Sequence, residues 1–74
     1  MHGRLPKGRK TMIVQGYAVQ WFTTISGHTK VIIYTKMPPH IYTHMTDFVL
    51  DYIADEFSVE EAAKIKIKEV ESYD

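Results

Sequence analysis

Two adjacent prolines, Pro38 and Pro39, place the strongest constraint on how this chain can fold. Proline has no backbone N–H to give to a strand ladder, so a strand that reaches this point must end there. Proline is also well suited to the first position of a helix. The pair therefore predicts a β-rich segment before it and a helix after it.

The residues before the prolines favour β-structure. From Thr11 to Ile25 most residues are β-branched, aromatic or otherwise apolar, which predicts one long strand with Gly16 as a candidate bulge. Ser26-Gly27 predicts a turn, and Thr29 to Lys36 a second strand. We therefore expect a β-hairpin.

The faces of this hairpin depend on its register. A two-residue turn at Ser26-Gly27 would place Trp21 opposite Ile32 and Val19 opposite Tyr34. This register predicts an outer face made of Tyr17, Trp21, Tyr34, Lys30 and Lys36. A shift of one residue would change the pairs and, on one strand, the face, so both arrangements stay open.

The segment from about Pro39 to Phe57 has a helix-like pattern. His40, His44 and Asp47 fall within one narrow arc at 100° per residue, and the apolar residues fill a much wider arc. An apolar arc of this width predicts contact with more than one sheet face. Thr46, an acceptable N-cap, is an alternative start for the helix.

The C-terminal segment allows two interpretations. Lys64 to Lys68 alternates strictly between Lys and Ile, as a half-buried strand does. A helical stripe is the alternative, formed by Val59, Ala63, Ile67 and Val70. We predict a helical turn at Ser58 to Ala63 and a strand from about Lys64 to Glu71. The expected fold is then an α+β domain of order ββαβ, with one main helix packed on an antiparallel sheet.

Size and charge limit the possible functions. The chain has 74 residues and no cysteine, so its stability must come from its core or from a partner. Residues 1–46 carry six Lys and Arg and no acid, whereas residues 47–74 carry nine acids and three lysines. We predict a flexible basic arm over residues 1–10 and a single domain over residues 11–74. No apolar segment approaches the length of a membrane span, so a cytoplasmic protein without membrane contact is expected.

One pattern is compatible with a metal site. His40, His44 and Asp47 stand at positions that stack along a helix, where two imidazoles and a carboxylate can converge on an ion such as Zn²⁺. The same spacing is common on solvated helix faces, and no Glu follows the first His as a zincin base would. We therefore expect no metal and no cofactor.

Catalytic motifs are lacking in the sequence. No serine has a histidine and an acid at a recognisable motif spacing, and the four glycines are too scattered for a phosphate-binding loop. So short a chain also rarely encloses a substrate pocket unaided. We predict that the protein is not an enzyme.

Three functions remain as hypotheses. The first is a small interaction module that forms a homodimer, through the interface residues Val19, Trp21, Ile32, Tyr34, Tyr52 and Phe57. The second is nucleic-acid binding, through Arg4, Lys7, Arg9, Lys10, Tyr17, Trp21, Lys30, Tyr34 and Lys36. The third is an accessory protein of the kind encoded by viruses and plasmids, which binds and inhibits a larger host protein through the acidic stripe of Asp47, Asp51, Asp55, Glu56, Glu60 and Glu61.

Overall fold

The chain forms a four-stranded antiparallel sheet followed by one helix, ββββα, in a computed structural model that describes residues 9–37 and 41–73. The elements are β1 (Lys10–Val14), β2 (Tyr17–Thr23), β3 (Thr29–Met37), β4 (Ile41–Leu50) and α1 (Glu56–Glu71). The strands lie in the order β1-β2-β3-β4, a simple meander with β1 and β4 at the edges of the sheet that the described residues form. The α+β class is confirmed, but the predicted order ββαβ is wrong.

The predicted long first strand is two strands joined by a tight turn. Gln15 and Gly16 both have positive φ, 52° and 87°, which is the backbone of a two-residue type I′ hairpin turn. Val14 pairs directly with Tyr17 across this turn. Gly16 is thus a turn residue, and the bulge predicted there is wrong.

The second hairpin has the predicted strands but a different register. Thr24 and His28 close a three-residue loop through the bond from Thr24 N to His28 O, with Gly27 at φ 88°. The extra loop residue pairs Trp21 with Val31 and Val19 with Ile33. The predicted pairing with Ile32 and Tyr34 is therefore wrong by one residue. Trp21 and Val19 share a face with Val31 and Ile33 instead.

The segment that follows the prolines is a strand rather than a helix. Residues 38–40 lie outside the described part, and β4 pairs with β3 along its whole length. Its register shifts between Ile33 and Tyr34, so that Met45 is an extra residue, a β-bulge. The bulge puts His44 and Asp47 on one face although they are three residues apart, and this spacing imitates a helix. The helix predicted from Pro39 to Phe57 is wrong for this reason.

The C-terminal segment is one continuous helix, so the strand predicted from Lys64 to Glu71 is wrong. The stripe that the sequence offered as the alternative is correct, since Val59, Ala63 and Ile67 are fully buried at helical spacing. The N-cap is Asp55, whose Oδ1 accepts from Ser58 N at 2.8 Å. In the helix the alternating Lys and Ile residues fall on both the buried and the exposed face, so Ile67 is buried and Ile65 is exposed.

The core lies between α1 and one face of the sheet, which we call the helix face. Its buried residues are Val14, Val19, Trp21, Val31, Ile33, Ala54, Val59, Ala63 and Ile67. Met12, Met45, Phe48 and Leu50 pack against them. Since Trp21 and Val19 belong to this core and Tyr17 packs against it, the outer face predicted for Tyr17 and Trp21 is wrong.

Thr29 fixes the connection between the sheet and α1. Its side chain is fully buried; Oγ1 donates to Tyr52 O at 2.7 Å and accepts from Ala54 N at 2.8 Å. These bonds satisfy backbone groups where the chain leaves β4 and turns towards the helix.

No helix within the described residues is long and apolar enough to cross a membrane.

Candidate binding surface

The second face of the sheet, which we call the open face, has no other layer of the described residues packed on it. Strand alternation and register give its members as Thr11, Ile13, Ala18, Gln20, Phe22, Lys30, Ile32, Tyr34, Tyr42, His44, Asp47 and Val49. Several of its apolar side chains are exposed, with Ile13 at 66%, Tyr42 at 52% and Val49 at 50%. The open face is the candidate binding surface.

A shallow depression crosses the open face. It has a volume of about 440 Å³ and is lined by residues from all four strands, Thr11, Ile13, Ala18, Gln20, Tyr34 and Tyr42. Ala18 is the smallest of these side chains and forms the floor between larger neighbours. Tyr34 Oη lies 3.4 Å from Gln20 Oε1, which orients the tyrosine ring over the sheet. The depression is wide and open, as suits a flat partner surface.

A charged cluster lies beside the depression, where β3 meets β4. Asp47 accepts from Lys30 Nζ at 3.1 Å through Oδ1 and contacts His44 Nε2 at 2.8 Å through Oδ2. These two hydrogen bonds hold the pKa of Asp47 below its ordinary value, the bond from His44 being the larger cause. Tyr34 meets His44 edge to face, with ring centroids 6.4 Å apart. The carboxylate is therefore ionised and held in place.

The predicted metal ligands are only partly brought together. His44 and Asp47 are in contact, whereas His40 lies outside the described residues. Lys30 binds the other oxygen of Asp47, and its positive charge opposes a cation there. Within residues 9–37 and 41–73 no group of three or more metal-binding side chains is assembled.

The residues predicted to bind nucleic acid are divided between the two faces. Arg9 lies over the Phe22 ring at 4.7 Å on the open face, where Phe22 is opposite Lys30; Tyr34 lies on the same face further along β3. Lys10 lies instead over the buried Trp21 ring at 5.3 Å. Tyr17 is half-buried and donates to Glu71 at 2.9 Å. Lys36 of β3 is opposite Tyr42, at an open-face position of the register, and Arg4 and Lys7 are outside the described residues.

The predicted interface residues are also divided. Val19 and Trp21 are buried in the core, so they are not available to a partner. Ile32 and Tyr34 lie half-buried on the open face. Tyr52 and Phe57 are exposed, but they belong to the segment around the start of α1.

The predicted acidic stripe is not continuous. Asp47 belongs to the open face, while the remaining acids follow β4 or lie on α1, in the layer behind the sheet. Asp55 is engaged as the helix N-cap, and the bonds from Ser58 lower its pKa. Glu60 and Glu61 both lie within 4 Å of Lys64, at 3.8 and 3.3 Å.

β4 was not predicted as a strand, although it supplies Tyr42, His44, Asp47 and Val49 to the open face. Tyr42 and Val49 of β4 and Ile13 of β1 are the large apolar residues of the open face that are exposed in the described strands. The signal that was available is the run of β-branched and aromatic residues from Ile41 to Leu50, which the bulge interrupts. Comparisons of the chain with models of protein families, with curated proteins and with solved structures found no match.

Proposed function

We propose that this protein is a non-enzymatic interaction module that forms a homodimer through the side of its sheet that carries β4. The observation that supports this most directly is the apolar exposure of β4, an edge strand of ten residues. A long, apolar edge strand presents unpaired backbone N–H and C=O groups and is a ready template for another strand. Natural monomers blunt such an edge with Lys, Pro or a bulge; β4 contains no Lys and no Pro, and it has a bulge at Met45.

The size of the domain also favours association. A chain of this length buries about 60% of the surface that it exposes when unfolded, so a further contact adds much to its stability. Of the exposed apolar residues of the sheet, Ile41, Tyr42 and Val49 lie in β4, the strand at which a second copy would pair. A second copy is the partner that such a self-complementary edge fits, and two-fold dimers are the commonest assemblies.

Charge is distributed in a way that allows two copies to meet along the sheet. The acids of the C-terminal half lie mainly on α1 and its N-cap, behind the sheet. On the open face, Asp47 offsets one of the two positive charges of Arg9 and Lys30. Two sheets that meet edge to edge therefore keep their acidic helices apart.

Light scattering on two matched variants tests the proposal. Val49→Glu places a carboxylate opposite Lys30, which suits the protein's own sheet, but puts a charge at the apolar edge. Ile65→Glu makes the same change at an exposed position on α1. We expect a concentration-dependent dimer for the natural chain and Ile65→Glu, and a monomer for Val49→Glu. A strict monomer in the natural chain at high micromolar concentration contradicts the proposal, as does equal behaviour of the two variants.

A second candidate function, single-stranded nucleic-acid binding, is favoured by one observation. The Arg9 guanidinium stacks on Phe22 on the same face as Lys30, Tyr34 and Tyr42. Rings and cations on one surface can stack with bases and contact phosphates. Such binding should weaken steeply with salt and fall in Arg9→Glu but not in Lys64→Glu. Binding that ignores salt or falls equally in both variants excludes this candidate.

A further inference from the structure

The side-chain pattern of β4 is symmetric about its bulge. On the open face it carries Tyr42, His44, Asp47 and Val49, and on the helix face Ile41, Thr43, Phe48 and Leu50. Met45 and Thr46 stand at the centre, and both are half-buried. Read in either direction, the strand has the same order of faces. A strand with this property can pair with an antiparallel copy of itself without putting open-face residues opposite helix-face residues.

Only one antiparallel register pairs all ten residues of β4 with residues of the same face in the second copy. With the two-fold axis between Met45 and Thr46, Ile41 lies opposite Leu50 of the second copy and Tyr42 opposite its Val49. A shift of one residue places open-face side chains opposite helix-face side chains. A shift of two leaves residues unpaired at the strand ends and puts His44 opposite Met45, or Thr46 opposite Asp47. In the first register Met45 of each copy lies opposite Thr46 of the other, so the irregular parts of the two strands adjoin.

Polar contacts favour the same register. His44 lies opposite Asp47 of the second copy, and Asp47 opposite the second His44. Each carboxylate already contacts His44 and Lys30 of its own chain, so it is positioned before association. An imidazole N–H placed across from a carboxylate can donate a hydrogen bond to it, whereas two carboxylates placed opposite each other would repel.

We infer that two copies join β4 to β4 in antiparallel register about a two-fold axis between Met45 and Thr46, forming a continuous eight-stranded sheet. This inference rests on the proposed homodimer and specifies its interface. Because the axis is perpendicular to the sheet, both open faces lie on one side and both helices on the other. The dimer thus presents a double-width open face with the depressions of both copies.

Disulfide crosslinking tests the register, since the natural chain has no cysteine. In the double variant Tyr42→Cys/Val49→Cys each cysteine faces the other position of the second copy, at a Cα separation of about 5 Å, which suits a disulfide. Within one chain the two positions are seven residues apart, about 24 Å along the strand. The single variants Tyr42→Cys and Val49→Cys are matched controls, because two copies of either residue also lie about 24 Å apart.

Mild oxidation, non-reducing electrophoresis and mass spectrometry of the joined peptides give the readout, and circular dichroism confirms folding of each variant. We expect a covalent dimer joined between positions 42 and 49 in the double variant and none in the single variants. A dimer by light scattering that does not crosslink overturns the register but leaves the proposed function standing. Equal crosslinking in the single variants also overturns the register. A monomer at every concentration overturns both.

Discussion

Thr29 offers a direct test of how the sheet is joined to α1, because one hydroxyl serves two backbone groups there. Replacement by valine keeps the shape of the side chain and removes the oxygen. Ala54 N–H then loses its acceptor at 2.8 Å in a buried position, and Tyr52 C=O loses its donor at 2.7 Å. A buried donor left without a partner costs about 1–3 kcal/mol.

We therefore expect Thr29→Val to lower the free energy of unfolding by about 2 kcal/mol. For a domain of this size that corresponds to a fall in Tm of about 8–16 °C. Thr29→Ser is the matched control, since it keeps the hydroxyl and loses only a methyl group, a cost of about 1 kcal/mol. Thermal and urea unfolding followed by circular dichroism, at one protein concentration, give both values.

Two outcomes would refute this reasoning. The first is a Thr29→Val protein as stable as the natural chain, which would mean that the hydroxyl carries no backbone bond. The second is a loss in the serine variant as large as that in the valine variant, which would mean that the bonds of the hydroxyl contribute no more than the packing of one methyl group.

Further predictions concern the helix register and the response to acid. Ile67→Ala should lower the free energy of unfolding by about 2–5 kcal/mol, because Ile67 is fully buried, whereas Ile65→Ala at the exposed position should change it by less than about 0.5 kcal/mol in urea unfolding. Equal large losses in the two variants would support a strand in this segment, because Ile65 and Ile67 would then lie on one face. Asp47 and Asp55 have lowered pKa values, so each stabilises the fold above the ordinary carboxyl pKa of 3.8, and this contribution is lost as pH falls through the lower folded-state value. An NMR titration should show both carboxyl groups titrating below the ordinary value; values at or above it would contradict the two sets of hydrogen bonds.

The strands of the first half could be predicted because their residue types act locally. β-branched and aromatic residues favour extended backbone, and β2 and β3 lie where this preference places them. The register could not be predicted as well, since it depends on one residue in a loop. Gly27 takes a positive φ in a three-residue loop, and that extra residue moves Trp21 from the expected outer face into the core.

The two largest errors have a common origin. In each, the spacing of residues suggested one type of secondary structure although the segment forms the other. The bulge at Met45 puts His44 and Asp47 on one face of a strand at a helix-like spacing. In the opposite case, Lys64 to Lys68 alternates as a strand does, yet the apolar stripe of Val59, Ala63 and Ile67 packs as a helix on the sheet. Tertiary packing decides between such patterns, and a short segment does not contain that information.

The candidate surface was predictable only in part for the same reason. Lys30 and Tyr34 lie on the open face, because alternation within a single strand is a local property. Tyr42 and Val49 join them through the pairing of β4 with β3, which links distant parts of the chain.

Sedimentation equilibrium of the natural chain over a range of concentrations tests the central claim, association through β4, most directly. A two-fold interface is closed, so the measured mass should rise from the 8.6 kDa of one chain to twice that value and then stay constant. A mass of one chain up to high micromolar concentration contradicts the account, and so does a mass that keeps growing beyond two chains.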